Sequence, residues 1–189
     1  MMAREMLRQG GRSARIQTAV HETVRELLKT VDRSAITVPM IAEKAGVTPS
    51  TIYRRWGDIG DLLADVALAH MRPISQPADT GAMRTDIETF IVEYAEEMSS
   101  RLGREMLQDI VGSSSGGGAA ERCCHYTIHH LETLRDRAEQ RGEAVFDVDA
   151  AMDKLVAPIV YHIMFRDRDV TPDYCRALIS EFLEERAGN

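Results

Sequence analysis

Apolar residues recur along this chain at intervals of three and four, the spacing of one face of an α-helix, and hardly anywhere in the alternation of a strand. Ile16, Val20, Val24, Leu27 and Leu28 share one stripe behind Ser13, a fitting cap, which predicts a helix over 13–31. Thr37 opens a short helix that Gly46 stops. Thr48-Pro49 opens another, with threonine as N-cap and proline in the first helical position, and Gly57 ends it after Trp56. Asp58 caps a fourth helix carrying Leu62, Leu63, Val66, Ala67 and His70, closed by Pro73. After the connection ISQPADTGAM, a helix over 84–100 places Ile87, Ile91, Tyr94 and Met98 on one stripe with Phe90 beside it. A short helix over 104–111 precedes GSSSGGG, a flexible linker by composition. A long helix over 119–141 carries Ala120, Cys124, Thr127, Leu131, Leu134 and Ala138. Asp147 or Asp149 caps a helix to Phe165, with a bend expected at Pro158, and Thr171-Pro172 starts a last helix ending near Glu185. The pattern predicts an all-α protein of about nine helices.

Composition alters this picture through charge. Thirty acidic against 23 basic residues give −7 overall, which read alone disfavours nucleic acid as a partner. The average conceals a split: residues 1–57 hold ten Lys and Arg against five Asp and Glu, and residues 58–189 thirteen against twenty-five. A basic head is joined to an acidic body. Residues 1–12, with Arg4, Arg8, Arg12 and the pair Gly10-Gly11, read as a flexible basic arm. Three cysteines, two of them adjacent, make no disulfide framework and point to a reducing cytoplasm. The N-terminus lacks the apolar core of a secretory signal, and the longest apolar stretch, 155–164, is too short and too polar to span a bilayer.

The segment TVPMIAEKAGVTPSTIYRRW, residues 37–56, carries the chemistry. Two helices of about eight residues joined at a glycine make a helix-turn-helix. Ile41, Ala45, Val47, Ile52 and Trp56 supply its buried face, and Ala42 is small where the two helices must cross. With Ile52 and Trp56 inward, Ser50, Thr51, Arg54 and Arg55 turn outward and Tyr53 lies at the flank. Short hydroxyls near the helix N-terminus reach base edges, whereas cations and a phenol suit phosphates. An αα-corner in an ordinary helical protein has the same geometry but gives no reason for the basic balance of the head. Residues 13–57 are therefore read as a DNA-binding domain, and 58–189 as a helical body.

Residues 16–66, through ITVPMIAEKAGVTPSTIYRRWGD and the following DLLADV, resemble the DNA-binding domain of the TetR family of bacterial transcriptional repressors. The body is similar to the family's C-terminal regions chiefly through RAEQRGEAVFDVDAAMDKLVAPIVYHIMF. The resemblance implies an Ω-shaped homodimer paired through its last two helices, with double-stranded operator DNA as partner. It also implies a small effector in the body that tilts the fourth helix and parts the reading heads. By position it assigns Thr37 to a phosphate at the second helix, Pro49, Ser50 and Thr51 to bases, and Tyr53 to a phosphate, with Thr48 capping the reading helix. Arg54 and Arg55 fall where the family varies and rest on the helical wheel alone. Where the family usually has a phosphate-binding lysine, this chain has Ile59 followed by Gly60.

Other residues admit plainer roles beside a functional one. Phe90, Tyr94, Met98, Met106, Tyr126, His130 and Tyr161 are candidates to line a pocket for an apolar small-molecule effector, each of them singly compatible with core. In CCHYTIHH, His125 and His129 are four apart and could share a metal, but they lie opposite the apolar stripe on a solvated face, so no metal or cofactor is expected. Cys123-Cys124 shows no environment that would lower a thiol pKa. No nucleophile elbow, phosphate-cradling loop or metalloprotease motif appears, so the chain is not read as an enzyme. Two alternatives stand beside the effector-released repressor: a DNA-binding regulator without an effector, and a helical binding protein with a vestigial head.

Overall fold

A computed structural model describes residues 11–113, 118–166 and 169–187. The helices are α1 (Gly11–Thr30), α2 (Val38–Ala45), α3 (Pro49–Trp56), α4 (Ile59–Met71), α5 (Met83–Ser99), α6 (Arg101–Gly112), α7 (Gly118–Gln140), α8 (148–165) and α9 (Pro172–Ala187), with a 3₁₀ turn at Arg33–Ala35. Among the described residues there are nine helices and no strand. Most of the expected arm (1–10) and of the expected glycine linker (114–117) lies outside the described residues. Gly11 and Arg12 belong to α1, Gly112 closes α6 and Gly118 opens α7.

Two large cores divide the chain. In the first, Val20 and Val24 of α1, Ile41 of α2, Ile52 of α3 and Leu62 of α4 are wholly buried. In the second, Ile87 and Ile91 of α5 meet Leu131 and Leu134 of α7, Leu155 and Ile159 of α8, and Ile179 of α9. Each such aliphatic side chain contributes about 1.5–3 kcal/mol by leaving water. The buried stripe of α7 runs through Ala119, Thr127, Leu131, Leu134 and Ala138, with half-buried Cys123 in line. The expected stripe began one residue late: Ala120 is half-buried and Cys124 exposed, because the first turns of α7 lie against α4 and α6.

Pro158 does not break its helix. The backbone widens into a π turn at Met152–Val156, where the Ala157 N–H reaches back to the Met152 carbonyl, and this takes up the misfit of a proline one residue later. Of the two candidate caps for α8, Asp147 serves, its carboxylate accepting from Ala150 N at 2.7 Å. Between α5 and α6 the backbones meet at Gly103, where a Cβ would stand 2.7 Å from Met98 Cα.

The helix α4 belongs to both halves. Its Leu62, Leu63 and Val66 pack into the head, whereas Ala64 and Ala67 face Met106, Ile110 and Ala119 in a small third cluster. Arg33 makes a two-pronged pair with buried Asp109 of α6, one prong 2.7 Å long, and Ser113 donates to Asp61 at 2.6 Å. On the far side of the body, two arginines of the α7 end bind the connection between α4 and α5. Arg137 donates to the Pro77 and Ala78 carbonyls at 2.8 and 3.1 Å, and Arg141 to Asp79 at 3.1 Å and buried Asp86 at 2.8 Å.

Candidate functional site

The reading helix α3 is placed by a tight turn. Gly46 adopts φ 67°, a left-handed conformation that lets its N–H and that of Val47 return to the Ala42 and Glu43 carbonyls. Ala42 is buried at the crossing. Thr37 caps α2, accepting from Met40 N at 3.4 Å. Thr48 stands at the cap of α3, but its hydroxyl engages Ser50 and Thr51, each at 2.9 Å, rather than a backbone N–H. Three hydroxyls are thus gathered at the N-terminus of α3, where backbone N–H groups and the helix dipole favour a phosphate. Pro49, Ser50, Tyr53 and Arg54 are exposed and Thr51 half-exposed.

The two arginines of α3 are not equivalent. Arg54 projects without a protein partner among the described residues. Arg55 turns back: its guanidinium donates to Ser13 Oγ at 2.6 Å and Gln17 Oε1 at 2.7 Å and lies 5.2 Å from the Trp56 ring centroid. The helical wheel turned both outward; the nearness of α1 draws Arg55 into bracing α3. Ile59, in place of the family's lysine, is half-buried against the head core.

Behind α3, Asp65 of α4 is a polar hub. It accepts from Trp56 Nε1 at 2.9 Å and Gln17 Nε2 at 3.1 Å, and His21 Nε2 lies 3.0 Å away. The hydrogen bond from His21, aided by Trp56, holds the carboxyl down at about 2 in spite of burial. One carboxylate therefore fastens α1 and α3 to α4.

In the body, a cavity of about 470 Å³ opens between α5, α7 and the segment 70–78. Five of the seven expected lining residues border it: Phe90, Tyr94, Met98, Tyr126 and His130. Two do not. Met106 is buried in the cluster between α4, α6 and α7, and Tyr161 stands on the outer face of α8, 54 % exposed, because the inner face of α8 is already filled by Leu155, Ile159 and Ile163. Burial and the neighbouring His129 push His130 below its ordinary value, and burial pushes the Tyr94 phenol up. Burial likewise pushes the Cys123 thiol up to about 11, far from a reactive thiolate. His125 Nδ1 sits 2.9 Å from the Glu121 carbonyl, and among the described residues no group of three His, Cys, Asp or Glu could hold a metal.

Comparison with known proteins settles the family. Residues 22–66 match the family model described as bacterial regulatory proteins, tetR family, and residues 77–182 match that of the tetracyclin repressor-like C-terminal domain, more than half of the chain. The chain belongs to the TetR family. It is a helix-turn-helix, DNA-binding transcriptional regulator. The uncharacterized HTH-type transcriptional regulator YdeS of Bacillus subtilis (strain 168) is 26 % identical over 171 residues, covering 85 % of this chain and 84 % of YdeS. AqdR of Rhodococcus erythropolis, an HTH-type transcriptional regulator, is 26 % identical over 126 residues, covering 65 % and 61 %. The crystal structure of the TetR family regulator SCO0332 superposes with a TM-score of 0.67 at 21 % identity, over 89 % of this chain and 97 % of that one.

Several contributors to this TetR-family site escaped sequence reasoning. Ser13 and Gln17 brace the reading helix, yet a polar residue on a helix surface carries no mark of its partner. His21 and Asp65 carry no signal in the sequence, each being a lone polar residue in a helical stripe. The cavity wall takes in His70, at the end of the fourth helix, and residues 74–78, which read only as a connection; Pro73 and Pro77, which restrict its backbone, were the available signal.

Proposed function

We propose that this TetR-family regulator is a cytoplasmic homodimeric repressor that leaves its operator when a small apolar molecule enters the body. One observation carries the reading: α4 is at once part of the head core and, through His70 and Met71, part of the cavity wall. A ligand there touches the element on which the reading helix is mounted. Residues 13–57 act as the DNA-binding domain and 58–189 as the effector-binding and dimerisation domain. Thr37 and Tyr53 meet phosphates, Pro49, Ser50 and Thr51 face bases, Thr48 orders the hydroxyls, Arg54 adds a cation and Arg55 braces. The acidic body keeps DNA contact to the heads.

Support for pairing through the last two helices comes from α8. Tyr161 and Phe165 are 54 % and 72 % exposed on one face, 5.7 Å apart, with half-buried Val160 and Met164 nearby. Such an apolar face on a helix otherwise in the core is suited to a second copy. A dimer presents two heads, and operator binding favours a separation of about 34–36 Å, one turn of DNA. An effector shifts the equilibrium only by its differential affinity for the two arrangements. No described helix is long and apolar enough to cross a membrane.

The test is operator binding. The DNA upstream of the protein's own gene should be bound at low salt without ligand, and log affinity should fall with log salt by about 0.9 per phosphate neutralised. Tyr53→Phe with Arg54→Ala should weaken binding at least tenfold. Unchanged affinity in the double variant, or no binding to any upstream fragment, refutes the reading.

A further inference from the structure

The cavity wall has an uneven distribution of partners. Tyr94, Tyr126, Thr127 and His130 all border it, and none makes a hydrogen bond through its side chain within the described residues; His130 Nδ1 is buried and unpaired. Around them the lining is rich in sulfur and rings, with His70, Ser75 and Gln76 where it is exposed. Met71, Met98 and Cys123 are there, with Cys123 Sγ 3.7 Å from Met71 Sδ. The Phe90 ring lies 5.4 Å from His130 and 6.3 Å from Tyr94. Charged side chains occur only where the lining is exposed, at Arg72, Glu93 and Glu97.

Each feature constrains an occupant. An ion taken past the rim finds no counter-charge, and burying an uncompensated charge is strongly unfavourable. Hydroxyls and an imidazole left unpaired in the buried part of the wall favour a molecule that returns their hydrogen bonds. Thioethers and a thiol make favourable contacts at the edges of aromatic rings, and ring walls prefer offset or edge-on partners. A volume of about 470 Å³ lies within the range of small-molecule pockets and holds two or three fused rings. We infer that this cavity takes an uncharged, flat aromatic molecule with at least one hydrogen-bonding oxygen or nitrogen, met by Tyr94, Thr127 and His130. The inference rests on the effector reading given above and adds the ligand's chemistry. Burial raises the Tyr94 phenol and lowers the His130 imidazole, so in both groups it favours the uncharged form.

A size-matched set of probes tests this on the full chain: 2-naphthol, 2-naphthoate and 2-(aminomethyl)naphthalene, titrated calorimetrically at pH 7. The neutral naphthol should bind at least tenfold more tightly than either ion. Tyr94→Phe and Thr127→Val, each checked for folding by circular dichroism, should each weaken naphthol at least threefold. Met106→Leu, outside the cavity, should bind it as the parent chain does. An ion that binds as tightly as naphthol, no saturable naphthol binding up to millimolar concentration, or unchanged affinity in both wall variants overturns the inference. Operator binding by the same preparation is scored separately. Its absence refutes the regulator reading and leaves the probe ranking intact, whereas intact operator binding with no probe binding refutes the cavity chemistry alone.

Discussion

Asp65→Asn is the substitution whose effect the structure specifies most fully. Trp56, His21 and Gln17 all meet Oδ2, so an asparagine that sets its amide oxygen there keeps the shape and the acceptor but removes the charge that strengthens all three contacts. A carboxyl held at about 2 rather than its ordinary 3.8 corresponds to about 2.4 kcal/mol at neutral pH. The side chain is 22 % exposed, so solvent screening reduces this to about 1.5–2 kcal/mol. For a chain of this length the melting temperature should fall by about 3–8 °C at fixed protein concentration. The pH dependence gives a second signature. Because the folded pKa is depressed, the contribution is complete above the unfolded value near 4 and disappears as pH falls through about 2. The difference in urea midpoint between parent and variant should therefore be constant from pH 7 to 5 and shrink below 4. Trp56 is the only tryptophan and touches the hub, so its fluorescence reports the local event while circular dichroism reports the global one. A variant that melts within 1 °C of the parent at pH 7, or a difference as large at pH 3 as at pH 7, refutes the account of Asp65 as the fastening of the head.

Two further perturbations probe the joints around α6. Gly103→Ala puts a methyl 2.7 Å from the Met98 Cα, with backbone on both sides and no flexible neighbour to yield, so it should cost at least about 2 kcal/mol; a thermal melt unchanged within error contradicts that close approach. For the Arg33–Asp109 pair, Arg33→Ala strands a buried carboxylate and Asp109→Ala strands a partly exposed guanidinium, so the first should be the costlier, by about 1–3 kcal/mol in urea unfolding. The double variant should lose less than the sum of the singles, and simple additivity would show that the two groups do not interact.

Local signals were legible in the sequence wherever a short stretch determines its own structure. Thr37, Gly46 and Asp58 announced helix ends because caps and left-handed turns are set within four residues. The stripe Ile87, Ile91 and Met98 faced the core because helical periodicity is blind to what lies opposite. What stayed hidden was pairing between distant segments. Arg55 reads as a free cation on a wheel of eight residues, and only the placement of α1, some forty positions earlier, turns it inward. Pro158 predicts a distortion of its helix, but the form it takes, a π turn at Met152–Val156, depends on the neighbours that hold both halves. Met106 and Tyr161 carry pocket-like chemistry, and their separation from the cavity follows from helix packing that no spacing encodes.

The same packing indicates where the molecule has room to move if an effector tilts α4. The hub at Asp65 makes α1, α3 and the start of α4 one rigid piece, so a tilt of α4 carries the reading helix with it. Arg33 and Asp109 resist separation, since parting them leaves a buried carboxylate uncompensated. Between α4, α6 and the start of α7, however, the surfaces meet through Ala64, Ala67 and Ala119 against Met106 and Ile110. Alanines present no knob that must leave a hole, and methionine repacks at little cost, so small shear is cheapest there. An effector needs about 5.5 kcal/mol of differential affinity to carry a population from 1:99 to 99:1. A joint that slides over alanines lowers what the protein itself adds to that figure. Enlarging Ala67 would raise the resistance without touching the DNA face, which separates motion at this joint from operator affinity, whereas Met71 and Cys123, packed against the same cluster, tie it to the cavity wall.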